Sequence, residues 1–351
     1  MTKSRVNSGA GAGESRTLIW GAGAMGGVLG AYLARANHPV TLVDTSVAHV
    51  AAIRDKGLSI VGPLDEFRIA IPIFTPEALE GRWNRIMLAV KSQHTEAACE
   101  AIAPHLAEDG VILTLQNGFN DEIIANRFGR ERTFVTIGGV TGDVQAPGII
   151  RLGMALAMPT GHVDGGDGPV LQELVSILRL FDAGSFATDD IQSHLWSKHC
   201  INGLSSATAM ALSPLAELVK IKIMRDVIAG VMGEIASVAL AHKVTPHPYA
   251  GFDPTAFLKG TPADGRESFF KYVAANAAKD GKPHSGMWRD LNVHKRETEV
   301  APLLNPIIDL GRRYGVNTPM LSAVVSIIAE IEQGKLLQDD ANLSGLQKFI
   351  M

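Results

Sequence analysis

Residues 17–44, TLIWGAGAMGGVLGAYLARANHPVTLVD, constrain the fold more than any other stretch because they read as one strand–turn–helix–strand unit. An apolar run, Leu18 to Trp20, leads into Gly21, Gly23 and Gly26, and a helical pattern begins at once. Each glycine has its own task in such a unit. Gly21 allows the tight turn out of the strand, and Gly23 lets the backbone through Ala24 and Met25 approach a pyrophosphate. Gly26 lets the new helix pack close to the sheet. The helix N-terminus, with unpaired N–H groups, then faces the phosphates. A second strand, Pro39 to Val43, ends in Asp44, about 20 residues beyond the glycines, where an acid that holds ribose hydroxyls belongs. The upstream GAGAGES, Gly9 to Ser15, nearly repeats the spacing but has no strand before it. That missing context is what separates a dinucleotide turn from a coincidence of spacing.

A chain of 351 residues has room for two domains, each with its own core. Hydrophobic content of 46% and charge of 19% argue against disorder. A net charge of −4 leaves no electrostatic footprint for nucleic acid or an anionic membrane. Two cysteines, Cys99 and Cys200, make no disulfide framework and suit a reducing cytoplasm. No apolar run is long enough to span a bilayer. The polar, glycine- and serine-rich residues 1–15 read as a flexible leader without the apolar core of a signal peptide.

From residue 16 to 188 strand and helix signals alternate, as a mostly parallel Rossmann-type α/β sheet requires. Helices are expected at Ser46–Lys56, Thr95–Leu106 and Asp121–Phe128. Strands are expected at Leu58–Val61, Phe67–Ile71, Arg85–Val90, Gly110–Leu115, Thr133–Ile137, Gly148–Leu152 and Gly184–Thr188. From 189 to 351 strand signals vanish and an all-α domain is expected. Its helices are placed at Ile191–Leu212, Ile221–His242, Pro254–Leu258, Thr298–Tyr314 and Leu321–Gln333. The cleft between the two domains is the expected place for chemistry.

On the helix containing LWSKHCINGLSSATAMAL, Lys198 and Asn202 are four apart and share a face, with Ser205 and Ser206 a turn further on. The helix is rich in Ala, Leu, Ile and Met, so a lysine there is costly to bury without a partner. Such a lysine either donates a proton or holds an oxyanion, or it snorkels to solvent beside an ordinary asparagine. Lys91-Ser92 and Gln116-Asn117-Gly118 follow the two buried strands and lie where nicotinamide and substrate belong. Asn117-Gly118 also fits a plain turn, and Lys91 a solvated loop. HSGMWRDLNVHKRETEVAPL offers Ser285, Asp290 and Glu299, and by spacing alone Glu299 suits a helix N-terminus. His194 and His199 diverge on their helix, and neither they nor His242 and His247 have a third ligand nearby, so no metal site is expected.

Taken in order, these motifs resemble the ketopantoate reductases, formally 2-dehydropantoate 2-reductases. That family reduces 2-dehydropantoate to pantoate with NADPH in pantothenate biosynthesis. The resemblance rests on GAGAMGG (Gly21–Gly27), VKSQHT (Val90–Thr95), LQNG (Leu115–Gly118), APGIIRLG (Ala146–Gly153), LWSKHCIN (Leu195–Asn202), SGMWRDL (Ser285–Leu291) and RETE (Arg296–Glu299). It implies Lys198 as the general acid, Asn202 as a holder of substrate oxygens, and Asn117 between nicotinamide and substrate. Lys91 would contact the cofactor, Glu299 would lie beside the lysine or the cofactor ribose, and Ser206 and Ser285 would line the substrate. The implied substrate is a small 2-oxo acid, and a homodimer is left open. Some positions depart from the family pattern. Ser206 stands where a second asparagine is usual, and Gly286 where a second serine precedes the methionine. After the second strand come Asp44-Thr45-Ser46, with no arginine before Arg54 to hold a 2′-phosphate. Family resemblance therefore implies NADP(H), whereas the local chemistry of Asp44 favours NAD(H). Two other readings stand beside this one: a β-hydroxyacid dehydrogenase, whose glycine-rich substrate loop is not evident, and a non-catalytic dinucleotide sensor.

Overall fold

In a computed structural model, which describes residues 16–248, 251–276 and 283–350, the apolar runs of the first half become the middle of a sheet. The expected leader and GAGAGES lie outside the described residues. The strands are β1 (Thr17–Trp20), β2 (Val40–Val43), β3 (Leu58–Val61), β4 (Phe67–Ile69), β5 (Ile73–Phe74) and β6 (Trp83–Leu88). They continue as β7 (Leu106–Thr114), β8 (Thr133–Thr136), β9 (Val140–Ala146), β10 (Ile149–Ala155), β11 (Pro159–His162) and β12 (Phe186–Ala187). Eight form one sheet in the order β12-β11-β8-β7-β6-β1-β2-β5, and the other four form a second, β4-β3-β10-β9. Every pairing in the large sheet is parallel except β8 with β11. β1 and β2 are buried along their whole length, as strands covered by helices on both faces must be. Because β1 lies between β2 and β6, the winding reverses there. The crevice outside the carboxyl ends of β1 and β6 is the switch point where such sheets take ligands.

The helices of this half are α1 (Ala24–Arg35), α2 (Val47–Lys56), α3 (Thr95–Ile102), α4 (Asn120–Phe128) and α5 (Pro169–Leu178). Ser46 accepts the His49 N–H and so starts α2. α3 ends earlier than expected because Pro104 follows in a 3₁₀ turn, and β7 begins directly after it.

Beyond Ala187 the described residues hold no further strand. α6 (Ile191–Ala209), α7 (Leu215–Leu218), α8 (Lys222–Ala241), α9 (Ala263–Asn276), α10 (Gly286–Asn292), α11 (Val300–Tyr314), α12 (Pro319–Glu332) and α13 (Asp340–Ser344) follow. The helix expected at Pro254–Leu258 is a single 3₁₀ turn, Pro254–Phe257, started by Asp253. α6 is the axis of this half, with Trp196, Cys200, Ala207 and Ala209 sealed from solvent. It closes tightly on α8 at Gly203, where an added Cβ would lie 2.5 Å from the Ile235 side chain. Each fully buried large apolar side chain in this core contributes about 1.5–3 kcal/mol. α6 is therefore a rigid mount for whatever polar groups it carries toward the sheet.

Candidate active site at the domain cleft

The three glycines of the first turn divide into two kinds. Gly21 has φ +103° and its Cβ would meet the Ala89 backbone at 2.9 Å; that of Gly26 would meet the Gly21 carbonyl oxygen at 2.0 Å. Both are glycine because backbone packs against them. At Gly23 an added Cβ meets nothing within 4 Å, so the position opens onto the space before the turn. α1 starts there with no side-chain cap and no acidic residue in its first turn, which leaves N–H donors for an anion. Asp44, half-buried, accepts the Ala22 N–H at 2.9 Å on one oxygen and the Ser46 N–H at 2.8 Å on the other. Each oxygen keeps a lone pair for a hydroxyl. Thr45, Ser46 and Val47 supply no cation beside it, and Arg54 extends toward the Ile73 carbonyl, 3.5 Å away. The open glycine, the uncapped helix and the acid together fit a dinucleotide.

The loops after β6 and β7 are held by one connected set of polar side chains. Ser92 Oγ donates to the Asn117 carbonyl (2.6 Å), and Asn120 Nδ2 donates to Ser92 Oγ (3.0 Å) and to the same carbonyl (2.6 Å). Thr95 Oγ1 donates to Asn120 Oδ1 (2.7 Å), and Gln116 Nε2 donates to Thr95 Oγ1 (2.8 Å) and to the Val90 carbonyl (2.9 Å). Asn117 thus has its backbone fixed while its side-chain amide is left out of the set. At Asn117-Gly118, where a plain turn is the alternative reading, the chain bends. Gly118 has φ +95°, and its missing Cβ would lie 2.8 Å from Leu303 of α11. Lys91 pairs with Asp290 of α10, whose other oxygen takes Arg296 at 2.7 Å. Glu299 stands at the N-cap position of α11, but its side chain accepts the Ser92 N–H at 2.9 Å instead of capping its own helix. A third tie between the domains is the Arg289–Asp143 pair.

Lys198, on α6, is surrounded by protein yet not sealed from solvent. Among the described residues its ammonium has no hydrogen-bond acceptor and no counter-ion, and burial pushes its pKa below the ordinary lysine value. One helical turn on, Asn202 is buried with Nδ2 unpartnered. His199 stacks on Phe119 with ring centroids 4.0 Å apart, which brings the Asn117 loop against the helical turn that bears Lys198. Burial, and secondarily Lys198, pushes the His199 imidazole down to about 3, so it is neutral. Ser206 is fully buried with its hydroxyl on Met287 Sδ (3.3 Å). Ser285 caps α10 through the Trp288 N–H and donates to the Ser205 carbonyl (3.2 Å). Neither serine presents a free hydroxyl. The elements bearing Lys91, Asn117, Lys198, Asn202, Ser206, Ser285 and Glu299 therefore touch one another around the switch point. Sequence reasoning assigned no role to Asn120 or Thr95, and it placed Gln116 and Asp290 near the site without giving either a task. All four act on loops or partners brought to them by the fold; only the polar character of VKSQHT and LQNGFN hinted at the first three.

Among the described residues no group of three His, Cys, Asp or Glu side chains could hold a metal, and no helix is long and apolar enough to cross a membrane. Comparison with known proteins identifies the family. The model of the family described as ketopantoate reductase PanE/ApbA matches residues 17–165, and that of its C-terminal part matches residues 190–332. A 2-dehydropantoate 2-reductase of Streptococcus pyogenes serotype M18 is 22% identical over 88% of this chain and 95% of its own. The one from Pyrococcus abyssi is 30% identical over 59% of this chain and 65% of its own. Among solved structures, a ternary complex of D-mandelate dehydrogenase with NADH and anilino(oxo)acetate superimposes with a TM-score of 0.78. Its sequence identity is 23%, over 91% of this chain and 99% of that one.

Proposed function

The chain belongs to the ketopantoate reductase family of NAD(P)H-dependent oxidoreductases, and from that premise we propose that it reduces the ketone of a small 2-oxo acid in the cytoplasm, 2-dehydropantoate first among them. The observation that carries this reading is the unpaired Lys198 ammonium in the cleft, one turn from the unpartnered Asn202 amide. Bound reduced nicotinamide supplies the hydride for the carbonyl carbon. Charge then builds on the carbonyl oxygen, where Lys198 Nζ first stabilises it and then donates its proton. Asn202 Nδ2 donates to a substrate oxygen, and the free amide of Asn117 separates substrate from nicotinamide. Lys91, steadied by Asp290, and Glu299, through the Ser92 N–H, position the cofactor side. Gly23, with Ala24, Met25 and the Gly26 turn, holds the pyrophosphate. Ser206 and Ser285 shape the substrate wall through Met287 and the Ser205 carbonyl.

Asp44 with no adjoining cation favours NADH over NADPH, and the mandelate dehydrogenase neighbour, solved with NADH, supports that preference. The same neighbour, with Ser206 in place of an asparagine, supports a second substrate reading, the aromatic 2-oxo acid that corresponds to mandelate. The deciding experiment follows NADH and NADPH oxidation with 2-dehydropantoate, branched 2-oxo acids and aromatic 2-oxo acids. We expect turnover with at least one of them, and faster turnover with NADH. A folded protein that binds the cofactor yet oxidises it with none of these acids would fit a dinucleotide sensor instead.

A further inference from the structure

We propose that His49, a residue outside every motif of the site, is a positioning residue for the cofactor turn. It rests on the reading of the glycine turn as the dinucleotide site. His49 lies on α2, is 5% exposed, and makes two hydrogen bonds to backbone far away in sequence. Its Nδ1 accepts the Gly148 N–H at 3.0 Å, and its Nε2 lies 3.0 Å from the Ala22 carbonyl oxygen. A backbone N–H can only donate, so Nδ1 must be the unprotonated nitrogen. Nε2 therefore carries the proton and donates it to Ala22. One tautomer satisfies both contacts.

Ala22 is the residue between Gly21 and Gly23, so its peptide groups set the course of the turn. Asp44 holds its N–H and His49 holds its C=O. With both groups tied to side chains, the N–H groups from Gly23 onward are aimed in one direction before any phosphate arrives. Binding then avoids the ordering cost of a loose glycine loop. The other end of His49 fixes the turn between β9 and β10. Gly148 has φ +75°, its N–H goes to His49, its carbonyl accepts the Ser59 N–H at 2.9 Å, and its missing Cβ would lie 3.1 Å from Ala52 of α2. This hairpin runs past the turn, with Ile150 against Gly27 and Gly142 beside Ala24, and it carries Asp143 to Arg289. A single imidazole thus keeps the phosphate turn in register with the strand pair that walls it.

The two nitrogens can be tested separately, because a glutamine amide reaches about where Nε2 sits and an asparagine amide about where Nδ1 sits. Cofactor Kd is measured by calorimetry for wild type, His49→Phe, His49→Gln and His49→Asn, with thermal melts alongside. Loss of the Ala22 hydrogen bond should raise Kd about tenfold in His49→Phe and His49→Asn. His49→Gln should stay within about threefold of wild type. Cofactor KM should follow Kd, with kcat at saturating cofactor held. In ¹⁵N-histidine spectra, a protonated Nε2 and a bare Nδ1 should be seen for His49, with a shift on adding NADH. Wild-type affinity in His49→Phe overturns the proposal. Equal weakening in all three variants also overturns it, since that marks a packing role. If His49→Phe does not fold, the Gln-against-Asn contrast decides. Gly23→Val is the control for the turn itself. Its Cβ meets nothing within 4 Å among the described residues, so it should fold normally and lose cofactor binding. Intact binding in Gly23→Val would refute the turn as the dinucleotide site, whereas lost binding there beside wild-type binding in His49→Phe would refute His49 alone.

Discussion

On the sheet side of the cleft, Ser92, Thr95, Gln116 and Asn120 direct their polar atoms at one another and at nearby backbone. On the facing helix, among the described residues, Lys198 has no partner, Asn202 Nδ2 has none, and both nitrogens of His199 are buried without one. The contrast separates two functions of buried polarity. A satisfied network fixes backbone, here the Asn117 loop, and contributes to stability. An unsatisfied buried donor costs roughly 1–3 kcal/mol until something pairs with it. Enzymes retain such groups where substrate or transition state supplies the partner. α6 can carry that cost because the helix is clamped in the apolar core of the second domain.

The sharpest way to break this comparison is Lys198→Ala. It should lower kcat by about 10²–10⁴-fold, the range of a lost general acid, with cofactor Kd nearly unchanged. The pH dependence gives a second readout. Reduction needs the ammonium, so the rate should fall as pH rises through the Lys198 pKa. Since burial lowers that pKa, the fall should begin below the ordinary lysine range. In the reverse oxidation the unprotonated amine is the working form, so the limb should invert. Steady-state rates in both directions check this. Wild-type kcat in a folded Lys198→Ala would remove the lysine from the chemistry.

A smaller pair of effects sharpens the contrast by opposing the two asparagines. Asn202→Ala deletes an unpartnered donor and should leave the melting temperature level or slightly raised. Its kcat/KM for the 2-oxo acid should fall by about ten- to a hundredfold. Asn120→Ala unties a satisfied network and should destabilise the protein by about 1–3 kcal/mol, with a milder kinetic loss. Denaturant unfolding and kinetics on the two variants read both. The same signature in each would mean that the walls do not differ in kind.

How much of this was legible in the sequence follows the same division. The glycine turn, the strand-end loops and Lys198 with Asn202 are short local patterns, and their strands and helices fall within a few residues of expectation. α5 was equally legible and was not read: Leu171, Leu174, Val175 and Leu178 form a plain helical stripe. β9 carries no apolar run, since its residues are half-buried or exposed at a sheet edge, and β5 is two residues long. The first turn of α9 carries Asp264, Gly265 and Arg266, which mask its later Phe269 and Phe270. His49 and Asn120 were invisible as site residues, and Asp290 was a candidate without a task, because each acts through a partner that only the tertiary fold brings near. Spacing singles out Asp44, yet its two backbone hydrogen bonds were not foreseeable from spacing.

Those bonds change how the smallest effect must be tested. Asp44 holds the Ala22 and Ser46 N–H groups, and under the proposed function it also presents negative charge to the ribose 2′ position. Asp44→Ala removes both, so affinity for either cofactor should fall through loosening of the turn. The loosening is common to NADH and NADPH and cancels in their ratio. What remains in the ratio is the charge. A carboxylate accepts from a 2′-hydroxyl and repels a 2′-phosphate, and no cation at residues 45–47 offsets the repulsion. The wild-type kcat/KM ratio should therefore favour NADH, and Asp44→Ala should move it toward NADPH by about tenfold. Asp44→Asn, which keeps an acceptor for one backbone N–H and loses the charge, should move the ratio similarly at less cost to affinity. If wild type prefers NADPH and neither substitution moves the ratio, Asp44 is only a clamp on the turn. The first wall of the cleft would then be scaffold throughout, with specificity read elsewhere.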